Sequence, residues 1–288
     1  MRPAPLLLLL SQAPLLLLLL LISGCLNTCG AIQWLGLYKL EARADRPVQS
    51  NFCQAMQSRM IFDLSQAKFC KKWTRRAAKA AIVSSLIEAS KQTLALCQQQ
   101  FRGFRWNCGV LEHVPELAPE LRTPEQALVH AMSGFVLATT LANDCARGVI
   151  ANCPCGAEPR WLRARWPEVR FSLEGCHTNL RMGQRLARQF LGFAGKRKRA
   201  RRRRPRGRRT VKTFDRFVKK VNRHNYRVGI RATKHSEAVR CKCHGSSASC
   251  TIRTCHKVLH QRGIQMIPSA YVRRYEDDPI DFLINLYD

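Results

Sequence analysis

The segment from Cys241 to Cys255, CKCHGSSASCTIRTC, holds a dense group of side chains that could do chemistry. Four cysteines, one histidine and three serines occupy its fifteen positions. Thiolates and imidazoles bind zinc, a serine hydroxyl can act as a nucleophile or accept a covalent group, and thiols can oxidise to disulfides. The rest of the chain decides among these chemistries.

A zinc site is the first interpretation. Its ligands would come from Cys241, Cys243, His244, Cys250, Cys255 and His256. The Cys-x-Cys spacing differs from the usual Cys-x2-Cys pair, and a secretory route favours oxidised cysteines. We therefore assign no metal ligand, and a zinc-binding nuclear protein is only the third-ranked function.

A serine nucleophile is the second interpretation. Ser247 lies in Gly245-x-Ser247-x-Ser249, whereas the nucleophile elbow of hydrolases reads Gly-x-Ser-x-Gly between a strand and a helix. No such context follows, and no histidine or aspartate partner can be nominated. The sequence indicates a protein that is not an enzyme.

A stapled hairpin is the third interpretation. Cys241 can pair with Cys255 and Cys243 with Cys250, so that the inner disulfide closes a tip and the outer one joins two strands. The β-branched residues of TIRT, residues 251–254, favour a strand. The tip residues are His244, Gly245, Ser246, Ser247, Ala248 and Ser249, among which a serine is either a modification site or a polar turn residue.

The N-terminus is typical of a secretory signal. Arg2 precedes two apolar runs, residues 6–10 and 15–22, and small residues follow. These runs are too short to span a bilayer. We expect cleavage near Gly24 or Gly30, so that residues 1–30 form a signal peptide and the protein is secreted. A bacterial lipoprotein signal acylated at Cys25 is a weaker alternative.

Fourteen cysteines in a secreted chain indicate disulfide bonds. Loss of residues 1–30 would leave an even number, consistent with six bridges. Local spacing groups them as Cys53 and Cys70, Cys97 and Cys108, Cys145 and Cys153, Cys155 and Cys176, and the nested pairs of the stapled hairpin. Spacing alone does not fix this connectivity.

Apolar residues at helical spacing predict four helices that pack as a core. The first is expected from Thr74 to Phe101. The second is expected from Thr123 to about Cys145, because Thr123, Pro124 and Gln126 suit a helix start. The third contains Leu186, Phe190 and Phe193, and the fourth contains Phe214, Phe217, Val218 and Val221.

A basic segment, residues 196–212, carries twelve basic residues and no acidic one in a chain of net charge +30. It should be a solvated loop that binds extracellular heparan sulfate by counterion release. The signal peptide argues against nuclear import and nucleic acid, and cleavage within the arginine run is another alternative. The predicted polyanion-binding residues are Lys196, Arg197, Lys198, Arg199, Arg201, Arg202, Arg203 and Arg204.

Several segments together resemble the Wnt family of secreted signalling proteins. They are CQQQFRGFRWNC at 97–108, CARGVIANCPC at 145–155, NRHN at 222–225 and CKCHGSSASCTIRTC at 241–255. They follow the family order and the family cysteine intervals. The segment AIQWLGL, residues 31–37, further resembles the mature start of the Wnt-eleven subgroup.

The resemblance implies a mainly α, disulfide-rich N-terminal domain, residues 31–240, that bears a stapled thumb hairpin at 241–255. It implies that the acyltransferase Porcupine attaches palmitoleate to Ser247, with no other cofactor. The lipid would enter a groove on the cysteine-rich domain of a Frizzled receptor, and the carrier Wntless would transport the acylated protein.

Three departures from the family pattern bear on this expectation. Ala248 stands where the family usually has glycine, which could hold a positive φ. His256 stands where a tryptophan is common. Residues 256–288 are expected to be only a remnant of the C-terminal cysteine-rich domain. The alternatives are therefore a heparan-sulfate-binding matrix protein and a shortened ligand that competes without signalling.

Overall fold

The computed structural model describes residues 32–40, 51–59, 61–76, 81–108, 124–157, 171–172, 176–193, 211–250 and 253–260. Helices α1 to α6 in these ranges are Phe52–Ser58, Leu64–Arg76, Ala81–Gln100, Pro124–Ala146, Leu180–Phe190 and Val211–Ala232. A 3₁₀ helix, Gln33–Lys39, precedes them. Strands β1, β2 and β3 are Phe171–Ser172, Glu237–Cys243 and Arg253–Leu259. The predicted mainly α, disulfide-rich fold with a hairpin is confirmed.

Helix α4 is the centre of the core and packs against α3, α5 and α6. Its side chains Met132, Phe135, Leu137 and Leu141 are almost wholly buried. A helix surrounded on several sides must be apolar around most of its circumference. This explains why its sequence is the most continuous apolar stretch among the described helices.

Glycines allow the helices around α4 to approach its backbone. A Cβ on Gly183 of α5 would overlap the carbonyl oxygen of Ala138, and a Cβ on Gly229 of α6 would overlap that of Ala131. On α4 itself, a Cβ on Gly134 would lie 2.6 Å from the carbonyl oxygen of Tyr226. Any larger residue at these crossings would separate the helices.

An aromatic cluster attaches the N-terminal segments to the helices. The ring of Phe190, at the end of α5, contacts the rings of Trp34, Phe62 and Phe69 edge-on, at centroid distances of 5.5, 5.7 and 5.6 Å. Edge-to-face pairs of this kind stabilise beyond the burial of their area. Phe190 therefore joins the 3₁₀ helix and α2 to the core.

A buried histidine lies at the contact between α4 and α6. The His130 ring meets Tyr226 edge-on at 4.7 Å between centroids, and neither ring nitrogen has a hydrogen-bond partner among the described residues. Burial lowers the pKa of His130 to about 3. The imidazole is therefore neutral in the folded protein at physiological pH.

The helix predictions hold with two corrections. The second, third and fourth predicted helices correspond to α4, α5 and α6, although Phe193 lies beyond the end of α5. The first predicted helix began too early, because Thr74 belongs to α2 and the core helix α3 starts at Ala81. The threonine hydroxyl donates to the Cys70 carbonyl within α2, so it continues that helix instead of starting the next.

The sequence analysis missed α2, although its start carries a signal. The Asp63 carboxylate accepts from the Gln66 amide N–H at 2.8 Å, and the Gln66 side chain accepts from the Asp63 N–H at 2.9 Å. This reciprocal pair is a capping box. The sequence Asp-x-x-Gln at 63–66 could have predicted a helix start.

The helix crossing at Gly229 predicts a sharp response to one added methyl group. Gly229→Ala should lower the free energy of unfolding by about 1–3 kcal/mol, because overlap with a backbone carbonyl cannot be relieved by a side-chain rotation. Gly103→Ala is the control, since a Cβ there has no atom within 4 Å. Thermal unfolding of both variants measures this, and equal midpoints would contradict the packing described.

Burial of His130 predicts acid destabilisation. The unfolded chain takes up a proton near pH 6.5, whereas folded His130 resists protonation until about pH 3. Between these values the unfolded state binds more protons, so stability falls as pH falls, by up to about 1.4 kcal/mol per pH unit from this group.

Chemical denaturation from pH 7 to pH 4 tests this slope. His130→Phe keeps an aromatic ring against Tyr226 but cannot be protonated, so its stability should fall less steeply than that of the parent. His235→Gln, at an exposed position, should keep the parent slope. If the unfolding free energies of the parent and of His130→Phe fell in parallel with pH, His130 would not be the cause of the acid destabilisation.

Candidate functional site

A three-stranded sheet carries the stapled hairpin, in the strand order β1-β3-β2. Strands β2 and β3 pair antiparallel from Glu237 opposite Leu259 to Cys243 opposite Arg253. The hairpin is therefore longer than the predicted 241–255, because both strands continue beyond the outer cysteines. Strand β1 pairs in parallel with the start of β3 and was not predicted.

Two nested disulfides hold the hairpin. Cys241 and Cys255 face each other in the strand register and are bonded, with 4.1 Å between their Cα atoms. Cys243 and Cys250 are bonded across the tip, with 4.6 Å between theirs. All four cysteines considered as zinc ligands in the sequence analysis are therefore in disulfides, which leaves none of them as a thiolate to bind a metal. Among the described residues, no cluster of metal-binding side chains is found.

The tip is a tight turn that projects Ser247 into solvent. The Gly245 N–H donates to the Ser249 carbonyl at 2.9 Å, and the Ser249 N–H donates to the Ser246 carbonyl at 3.0 Å. Between these bonds, residues 246–248 form a single 3₁₀ turn. The Ser247 side chain is exposed and can be reached from outside the fold.

Ser247 itself adopts the left-handed conformation of this turn, with φ 53° and ψ 35°. This conformation costs an L-residue roughly 1–2 kcal/mol, and the flanking hydrogen bonds and the inner disulfide hold it. The sequence analysis noted that a glycine at position 248 could hold a positive φ, but the positive φ of this turn lies at Ser247 and not at Ala248. Alanine at 248 therefore does not strain the turn in this way.

The base of the hairpin is anchored to the helical body. The backbone N–H of Lys257 donates to Nδ1 of His177 at 3.2 Å, and the Lys257 carbonyl accepts from the Thr178 hydroxyl at 3.0 Å. The His260 N–H donates to the Ser236 carbonyl at 2.7 Å. This last bond extends the strand pairing by one residue, whereas the two bonds to Lys257 tie β3 to the segment that leads into α5.

A second disulfide region supports this anchor. Cys155 and Cys176 are bonded, and the Gly156 N–H donates to the His177 carbonyl at 2.8 Å. The side chain of Asn179 caps α5 by accepting from the Met182 N–H at 3.0 Å. The segment that holds β3 is thus tied to both a disulfide and a helix start.

The hairpin surface is basic. On β2, Arg240 and Lys242 are exposed, and the imidazole groups of His244 and His256 are exposed at the tip and on β3. Glu237, at the start of β2, is the acidic residue of the two strands. This surface favours a partner with acidic or neutral groups around the tip.

The remaining cysteines are paired as grouped by spacing. Their bonds join Cys53 to Cys70, Cys97 to Cys108 and Cys145 to Cys153. The predicted polyanion-binding residues 196–204 lie outside the described residues. The predicted basic loop, 196–212, extends too far, since Val211 already begins α6. The apolar spacing of residues 214–221 continues back to Val211, which explains this boundary.

The anchor residues His177 and Thr178 were not found from the sequence. Their bonds to Lys257 join positions about eighty residues apart, and no local pattern reports such a contact. Asn179 lies directly before an apolar helical stripe and is a typical N-cap residue, so it could have predicted the start of α5.

Comparisons with known proteins agree on one family. The Wnt family model matches residues 60–278. Protein Wnt-11b-1 of Xenopus tropicalis is 32% identical over 87% of this chain and 63% of its own length. Protein Wnt-11b of Xenopus laevis is 34% identical over 86% of this chain and 62% of its own length. The chain thus spans somewhat under two thirds of these relatives.

Further similarities are more distant. Protein Wnt-11 of Gallus gallus is 28% identical over 81% of this chain and 59% of its own length. A solved structure, human WLS in complex with WNT8A, is similar with a TM-score of 0.40 and 24% identity, over 67% of this chain and 59% of that chain. At 28% to 34% identity, the likeness to Wnt-11 proteins is a distant one.

Proposed function

The chain belongs to the Wnt family, and we propose that it acts as a secreted, acylated ligand whose palmitoleate on Ser247 binds a Frizzled receptor. The observation that carries this proposal is the position of Ser247. It is an exposed serine at the outermost turn of a hairpin that two disulfides hold rigid.

The tip geometry supports acylation by an enzyme. An acyltransferase such as Porcupine must reach the hydroxyl and the backbone around it. The left-handed turn at Ser247 and the disulfide next to it present the serine in one conformation. The enzyme would therefore not have to order a flexible loop, which lowers the entropic cost of binding.

The acyl group would supply most of the receptor affinity. Burial contributes about 0.8 kcal/mol per methylene, so a long chain supplies gross binding on the order of 10 kcal/mol before ordering costs. The hairpin, fixed to the helices at Lys257, would direct this chain into a groove of the Frizzled cysteine-rich domain. The same exposed lipid would require a carrier, for which Wntless is the proposed partner.

The proposed mechanism needs no catalysis by this chain. Its residues position an attached group and exclude water from it once the receptor groove closes around the tip. The basic residues beside the tip, Arg240 and Lys242, would contact the rim of the groove. Such rim charges contribute more to association rate than to affinity.

Single substitutions at the tip test the proposal. Ser247→Ala should abolish the acyl group and weaken binding to a Frizzled cysteine-rich domain by several orders of magnitude. Ser247→Gly, which accepts the positive φ without strain, should do the same and excludes a distorted turn as the cause. Ser246→Ala, also at an exposed tip position, should bind like the parent. Unchanged affinity of Ser247→Ala would refute the proposal.

The second candidate is a polyanion-binding matrix protein that acts without a receptor. The observation that favours it is the density of basic residues in 196–212. Deletion of residues 196–210, which leaves α6 intact, separates the candidates, because heparin retention should be lost while receptor binding by the acylated tip survives. If the deletion abolished receptor binding but left Ser247 acylated, the basic segment would be the functional site.

A further inference from the structure

An exposed aromatic residue stands between two arginines in the loop that follows α3. In this loop, residues 101–108, the Phe104 side chain is 60% exposed. Its N–H donates to the Phe101 carbonyl at 2.9 Å, which closes a turn. Arg102 and Arg105 flank it and are both exposed. A single exposed apolar side chain needs no explanation by itself, but this one has a fixed position between two cations.

A disulfide and a buried aromatic ring hold the loop in place. Cys108 is bonded to Cys97 of α3, and Phe101 is buried in the core. The Phe101 ring lies 6.1 Å from the rings of both Phe104 and Trp106. Phe104 is therefore held in a fixed position before any partner binds, so binding would not have to order the loop first.

The loop itself is cationic. Its sequence, FRGFRWNC, contains no acidic residue. The last residues of α3, Gln99 and Gln100, border a cavity of about 410 Å³ together with Arg147 and His260. Arg147 forms an ion pair with Asp144, so the net positive charge of the loop comes from Arg102 and Arg105. The partner of this surface should therefore be anionic.

The small apolar area identifies the kind of partner. A stable protein interface needs roughly 800 Å² on each side, whereas this loop offers one exposed aromatic side chain. A second copy of the chain would bring arginines against arginines. A bilayer surface, in contrast, needs only a shallow apolar insertion with cations beside it to contact lipid phosphates.

We propose that loop 101–108 is a membrane-contact site, in which Phe104 inserts into the interface of an anionic lipid bilayer while Arg102 and Arg105 bind its phosphate groups. This site would act in addition to the acyl group at Ser247. One acyl chain alone gives only marginal membrane binding, so stable attachment requires a second contact. The loop does not depend on acylation, and both can be tested separately.

A tryptophan substituted for Phe104 would report by its fluorescence whether this position enters the bilayer. The test uses the full chain carrying Ser247→Ala, so that no attached lipid contributes, and Trp106→Phe, so that the tryptophan already present in the loop does not respond. The vesicles contain phosphatidylserine and phosphatidylcholine with brominated chains. Phe104→Trp should gain a blue-shifted, bromine-quenched emission on vesicle addition. Leu64→Trp is the matched control, since Leu64 is 58% exposed at the start of α2, and its emission should not change.

A charge-matched comparison tests the arginines. The double variant Arg102→Gln, Arg105→Gln should bind the vesicles about thirtyfold more weakly, since each cation at the surface contributes about a factor of five. The control, Arg181→Gln with Arg185→Gln, removes two exposed arginines from α5. Its affinity for the vesicles should fall much less.

Three results would overturn the proposal. The first is vesicle binding without any change in Phe104→Trp emission, which would place the contact elsewhere, for example in the basic segment. The second is an equal loss of affinity in both arginine pairs. The third is a Phe104→Trp signal that responds to an acidic protein but not to vesicles, which would make the loop a protein-binding site. None of these results depends on whether Ser247 is acylated in the parent.

Discussion

The close approach of α4 to α5 and α6 is the constraint on which the rest of the structure depends. At Gly183 and Gly229 the backbones meet with no room for a side chain. Because the helices are this close, the side chains beside each crossing, such as Phe135, Leu186 and Ile230, are buried. The glycines thus set the spacing of the core, and the loops and the hairpin are attached to helix ends whose positions follow from it.

A continuous series of bonds leads from this core to the hairpin tip. Cys145, near the end of α4, is bonded to Cys153, and Cys155 is bonded to Cys176. The next residues, His177 and Thr178, bind the backbone of Lys257 in β3. From there the strand pairing and the nested disulfides extend to the turn at Ser247. Most links are covalent or are backbone hydrogen bonds, so the tip should keep its direction even though it lies roughly 20 Å from the hairpin base.

Local patterns predicted the elements that depend on local physics. The helix α4 was found because Pro124 and Gln126 mark a start and a long apolar stretch follows. The disulfide groups were found because each lies within a short sequence interval. The strand β1, the anchor at His177 and the left-handed φ of Ser247 were not found. The first two join residues distant in sequence, and the last depends on how the inner disulfide closes the turn. The resemblance to the Wnt family singled out Ser247, and its exposure came only from the structure.

The central claim is that the rigid hairpin exists to present an acylated Ser247. The most direct test is a non-reducing peptide mass map of the protein secreted from animal cells, read at the peptide that spans Cys241 to Cys255. The account predicts two disulfides and one palmitoleoyl mass located on Ser247. The two disulfides with an unmodified Ser247, or the acyl mass on Ser246 or Ser249, would contradict it.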